Sequence, residues 1–136
     1  MPEMREIKYE AWNNDHKFMG LVIRIDFYNR HIIVDHKEIG TRHGFGLIHV
    51  NLRQFTGLKD KNGVEIYEGD VVHYLCTSGE LHWDMREEII WCHGAYRFGN
   101  FILGANMPGC LRDYENQPLL ERVGNIYENP ELLGDR

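Results

Sequence analysis

The chain has 136 residues, with 15 Lys and Arg against 21 Asp and Glu, a net charge of -6, and 43% hydrophobic residues. A domain of that length and apolar content can bury a core without disulfide or metal staples, which excludes a disordered chain. No run approaches the roughly 20 apolar residues of a membrane span, and residues 1–14 are too charged for a signal-peptide centre, so a cytoplasmic location is expected.

The charge is uneven: residues 1–50 hold seven basic and seven acidic residues, whereas residues 51–136 hold eight and fourteen. No repeat, linker or low-complexity run interrupts the chain, so one domain spanning 1–136 is expected. Arg5 to Trp12 alternates Ile7, Tyr9 and Ala11 with Glu6, Lys8 and Glu10, the period of a half-buried strand. After an Asn13-Asn14-Asp15 turn, Leu21, Ile23, Ile25 and Phe27 repeat the alternation, and Asn29-Arg30 leads into Ile32, Ile33 and Val34, which together predict a hairpin. Gly40 to Gly46 is expected as a glycine-punctuated loop, and Leu47 to Phe55 fits either a strand or a short helix.

Asn62-Gly63 predicts a two-residue type I′ turn, since both residues tolerate positive φ. Glu68-Gly69-Asp70 is expected as a second turn before Val71 to Leu75, and Ser78-Gly79 as a third before Leu81 to Met85. Ile89 to Cys92, Ala95 to Phe98, Asn100 to Leu103 and Val123 to Tyr127 complete a series of short strands. The end differs: Asn129-Pro130-Glu131-Leu132-Leu133 predicts a helical turn, with Asn129 as N-cap and Gly134 as the stop. The fold class is therefore mainly β: a small SH3-like or related β-barrel with additional strands and a short C-terminal helical turn.

Few residues support chemistry. The eight histidines lack zinc spacing: His31 and His36 lie five apart on or beside a strand, and neither His43 with His49 nor Cys92 with His93 fits. Asp60-Lys61-Asn62-Gly63 begins like a calcium loop but places Val64 and Glu65 where an oxygen ligand and a glycine are needed. Cys76, Cys92 and Cys110 are odd in number and widely spaced, which predicts reduced thiols. Ser78 and Thr41, Thr56 and Thr77 sit in no nucleophile elbow, and Glu87-Glu88 is expected as a polar turn, because adjacent strand residues face opposite ways. Catalytic residues, metal ligands and cofactors are accordingly none. Trp83, Trp91, Tyr96 and Phe98 are aromatics of the kind that stack bases, yet a basic groove would require Arg86, Arg97, Arg112 and Arg122 to converge in the acidic part of the chain.

Three segments carry a family resemblance: Met4-Arg5-Glu6-Ile7-Lys8 with Ala11-Trp12, the run from Gln54 to Val72 around Thr56-Gly57-Leu58-Lys59-Asp60-Lys61-Asn62-Gly63, and the run from Val123 to Leu133 around Gly124-Asn125-Ile126-Tyr127-Glu128-Asn129. Together they make the chain resemble the YopX family of phage and prophage proteins. The resemblance implies a mostly β, barrel-like domain of bacteriophage or prophage origin, with no catalytic residues to carry over. Within these segments Asp60 and Asp70 are placed to bind turn amides, a structural role.

These readings lead to an uncharacterised, non-catalytic protein-interaction or assembly module in the bacterial cytoplasm. The expected partners are further copies of the chain in a homo-oligomer, or a host or phage protein, with no membrane and no nucleic acid. The candidate partner-binding patch comprises Tyr67, Glu68, Asp70, Trp83, Trp91, Tyr96, Tyr127, Glu128 and Asn129. The alternative is a single-stranded nucleic-acid binder in phage DNA metabolism, which requires the four arginines to share a face with Trp83 and Trp91.

Overall fold

The computed structural model describes residues 6–36, 40–78, 80–105, 107–115 and 117–134. Arg5 of the first expected strand, Met4 of the first resembling segment, and Gly79 of the third expected turn lie outside them. The chain divides into two compact units, Met1–Phe55 and Thr56–Arg136.

The first unit is an antiparallel sheet of β1 (Tyr9–Asn13), β2 (Phe18–Asp26), β3 (His31–His36), β4 (Gly40–Gly46) and β5 (Val50–Lys59), in the order β4-β3-β2-β1-β5. The expected loop at Gly40 to Gly46 is thus an edge strand, because its backbone continues the ladder of β3. Both expectations for Leu47 to Phe55 are realised in turn: a 3-10 turn at Leu47–His49 runs into β5. The β2–β3 turn is longer than Asn29-Arg30 alone, since Asp26 pairs with His31. Its Asp26 carboxylate accepts hydrogen bonds from the Asn29 N–H (3.0 Å) and Nδ2 (2.8 Å). Those Asn29 bonds hold the Asp26 carboxyl below the usual aspartate range.

A bulge decides which side of β2 is the core. Val22 pairs with Val34 and Arg24 with Ile33, so Ile23 is the extra residue and the side-chain parity changes there. Phe18 and Val22 before the bulge, and Ile25 after it, join Ile32 and Val34 in the core with Ala11 and Val50. The expected apolar face of Leu21, Ile23, Ile25 and Phe27 therefore splits: Ile25 turns inward, and Leu21, Ile23 and Phe27 turn to solvent.

In the second unit β6 (Glu65–Tyr67) lies beside the continuation of β5, and two further antiparallel sheets follow. One has the order β12-β7-β8, with β7 Asp70–Ser78, β8 Leu81–Glu88 and β12 Glu121–Asn125; the other has the order β11-β10-β9, with β9 Ile90–Cys92, β10 Ala95–Phe98 and β11 Phe101–Ile102. Ile66, Val72, Tyr74, Ile89, Phe98, Leu111 and Leu120 form its buried centre. Glu87 and Glu88 belong to β8 rather than to a turn, and the last strand ends at Asn125, with a turn over Ile126 to Glu128. Pro130–Leu133 is the expected helical turn, of 3-10 type; Asn129 precedes it without a side-chain cap bond, and Gly134 closes it at φ 70°.

The fold is mainly β, but among the described residues no sheet closes on itself, and open antiparallel sheets with edges stand in place of the expected barrel. Strands of two to four residues, as in β9 to β11, offer too few ladder bonds to wrap around a core. The turn chemistry also moves. Asn62-Gly63 is not a two-residue type I′ turn, because Gly63 adopts positive φ (81°) and Asn62 does not. The Asp60 N–H instead donates to Val64 O (2.8 Å) across a three-residue loop. The type I′ pattern occurs at His93-Gly94, whose φ values of 52° and 78° link the Cys92–Ala95 pair.

The reduced-thiol expectation is overturned: Cys76 and Cys110 form a disulfide, with Cα atoms 5.7 Å apart, and Cys92 is the free thiol. Sequence spacing hid the pair, since its members are 34 residues apart and meet only because the 3-10 turn Gly109–Leu111 folds onto the core beside β7.

Candidate functional site

The nine residues of the expected patch divide between interior and surface. Asp70 is 0% and Tyr67 5% exposed, so neither can meet a partner. Asp70 Oδ2 accepts from the Tyr67 N–H (2.7 Å), and its Oδ1 pairs with Arg122 Nε (3.0 Å). Asp60 makes the matching contact: its Oδ1 accepts from the Asn62 and Val64 N–H groups (2.8 and 2.9 Å), and its Oδ2 from the Arg122 N–H (2.9 Å). Two buried aspartates therefore hold the backbone and the side chain of Arg122, tying β12 to the turns on either side of β6. A buried carboxylate is tolerated because each oxygen has a donor.

The remaining polar residues do come together. The Ile126 N–H donates to Gly69 O (2.9 Å), which sets the 125–129 turn against the Glu68-Gly69 turn. Buried Asn125 organises it: its Oδ1 accepts from the Tyr127 and Glu128 N–H groups (3.0 and 2.8 Å), and its Nδ2 donates to Glu128 Oε1 (2.9 Å). Glu68, Tyr127, Glu128 and Asn129 remain at least partly accessible.

The aromatic members separate too. Trp83 is half-buried against Phe101 (6.3 Å between centroids) and packs on the core, as does Tyr96. Trp91 is 53% exposed and meets Tyr96 edge-on across the β9–β10 ladder at 4.8 Å. The arginines do not converge on them, although Arg122, paired with Val72, lies on the sheet face of Trp83. Arg97 follows Tyr96 on β10, hence points away from Trp91, and donates to Cys92 O (2.9 Å). Arg86 lies on the face of β8 opposite Trp83 and donates to Leu132 O (3.4 Å). Arg122 is held by Asp70, and Arg112 by Met107 O (3.1 Å).

The surface that sequence reasoning missed lies in the first unit. Ile7, Leu21, Ile23 and Phe27, with Lys8 and Arg24 beside them, line a groove of about 490 Å³. Ile23 is 46% and Phe27 77% exposed. The alternation expected for 21–27 assigns Leu21, Ile23 and Phe27 to the core, and the sequence carries no mark of the bulge at Ile23 that breaks it. Among the described residues no group of three or more His, Cys, Asp or Glu is placed to hold a metal ion, and no helix is long and apolar enough to cross a membrane.

With this geometry in hand, the comparison with known proteins is direct: a family model described as YopX protein matches residues 8–134. The chain belongs to the YopX protein family. The crystal structure of protein EF1440 from Enterococcus faecalis is similar, with a TM-score of 0.65 and 30% sequence identity, covering 96% of this chain and 99% of that one. No curated protein matches this YopX chain. The family match and the structural similarity thus run along nearly the whole length.

Proposed function

We propose that this YopX chain is a non-catalytic interaction or assembly module, of phage or prophage origin and cytoplasmic in the bacterial host, that associates with further copies of itself. The observation carrying the reading is the groove of Ile7, Leu21, Ile23 and Phe27, large apolar side chains exposed together where scattered single ones would mean nothing. Charge favours self-association through this unit. Residues 1–55 hold eight basic and seven acidic residues, whereas residues 56–136 hold seven and fourteen, so like-charge repulsion is least between the first units. The arrangement of Arg86, Arg97, Arg112 and Arg122 gives no support to the single-stranded nucleic-acid reading.

The test is size exclusion coupled to light scattering, with Ile23→Lys as the variant. The wild-type chain is expected as a multiple of 16.1 kDa and the variant as a single chain with unchanged circular dichroism. A wild-type protein that stays monomeric at about 100 μM, weaker than any stable assembly needs, overturns the reading. A monomer that also shifts single-stranded DNA at about 150 mM salt would establish the rival instead.

A further inference from the structure

A second site lies in the other unit and does not depend on self-association. On β8, Trp83, Met85 and Glu87 share one face, opposite Cys76, Tyr74 and Val72 of β7. That is the core face, yet β8 is the edge of its sheet, and the face opens into a solvent-accessible cavity of about 250 Å³ bordered by Gly99, Asn100 and Phe101. The Gly99-Asn100 turn lies directly against the Glu87 carboxylate. Glu87 is half-buried among these side chains, where a cationic partner would strengthen the site. Glu87 has none among the described residues: neighbouring Arg86 points from the opposite face of the strand, Arg97 donates to Cys92 O, and Arg122, two strands away on the same face, is held by Asp70. The carboxylate does face the cavity. Burial, and then the charge of Glu87, push the Tyr74 phenol above its usual range.

We infer that this cavity, with Glu87 at its base and Trp83 and Phe101 as its walls, receives one arginine side chain from a protein partner. Three observations select that occupant. Its volume lies below the roughly 300 to 1,000 Å³ of small-molecule sites and suits a single side chain. Its one charge is negative and unpaired, in a unit carrying seven basic and fourteen acidic residues. Its walls are aromatic, and a guanidinium, being planar and weakly hydrated, stacks on a ring while its N–H groups reach a carboxylate, which an ammonium does less well.

The experiment is an NMR titration of the ¹⁵N-labelled full chain with the blocked peptide acetyl-Gly-Arg-Gly-amide, its citrulline counterpart, and agmatine. The arginine peptide is expected to give saturable shifts at the Glu87, Gly99 and Asn100 amides with a millimolar Kd, at least tenfold tighter than the uncharged citrulline peptide. Glu87→Gln, which keeps size and shape, is expected to lose the same factor while its spectrum stays dispersed. Equal binding of the citrulline peptide to wild type, or shifts confined to other residues, overturns the site even where the variant fails to fold. Tighter binding of agmatine than of the peptide overturns the assignment to a protein side chain. Neither outcome bears on the oligomeric state of Ile23→Lys.

Discussion

The two units of this YopX chain solve the same problem, a mainly β chain with little helix, in opposite ways. The first uses neighbouring strands joined by turns, so its sheet follows chain order from β1 to β4, over a small core around Phe18, Ile32 and Val34. The second joins one long hairpin, β7–β8, to short strands spread over separate sheets, and binds them with a larger buried core, a disulfide and buried aspartates. A sheet built from local pairings holds together through its ladder and can leave apolar side chains outside. Short strands cannot, so side chains must supply the long-range ties. The surfaces of the units differ accordingly: an apolar groove in one, a cavity lined by Glu87 and aromatic rings in the other.

The largest expected effect breaks a tie of the second unit. Replacing Cys76 and Cys110 together with alanine removes a crosslink between residues 34 apart, worth about 3 to 4 kcal/mol of chain entropy in the unfolded state. Urea midpoints of the oxidised protein and the double variant should show it, and thiol titration of the oxidised, denatured chain should count one thiol. Three thiols with an unchanged midpoint would remove the contrast between the units.

The next effect sharpens the account of the first unit. Ile32→Ala empties a fully buried position opposite Ile25 and should cost about 3 kcal/mol. Ile23→Ala, one bulge away on the paired strand, should cost less than about 1 kcal/mol, since much of that side chain already meets water. Equal losses at the two sites would mean that the bulge does not turn Ile23 outward.

The smallest effect is a pH dependence. Tyr74 has a phenol pKa raised above 10.0, first by burial and then by Glu87, so the folded chain holds this proton more tightly than the unfolded one. That contribution is complete below about pH 10, where the unfolded tyrosine begins to ionise, and is lost as pH rises through the folded value. Stability above about pH 10 should therefore fall less steeply in Tyr74→Phe than in wild type once their neutral-pH difference is subtracted. Parallel curves would place Tyr74 in water.

Much of this was legible in the chain itself. Alternation and glycine-bearing turns identified nearly every strand, and Pro130 and Gly134 framed the closing helical turn. The roles of Asp60 and Asp70 could also be read, because a short acidic side chain beside a turn meets the nearest free N–H groups, and those are set by local geometry. What a strand faces is different. A period of two states that two faces exist and leaves open which is inside, and one extra residue at Ile23 exchanges them. The exposed groove, the burial of Tyr67, the Cys76–Cys110 bond, the separation of the arginines from Trp83 and Trp91, and the lone Glu87 carboxylate all depend on residues distant in sequence. Local propensity determined the strands and turns of this protein. Only tertiary packing decided its surfaces, because a side chain becomes core, rim or site according to what the rest of the chain lays over it.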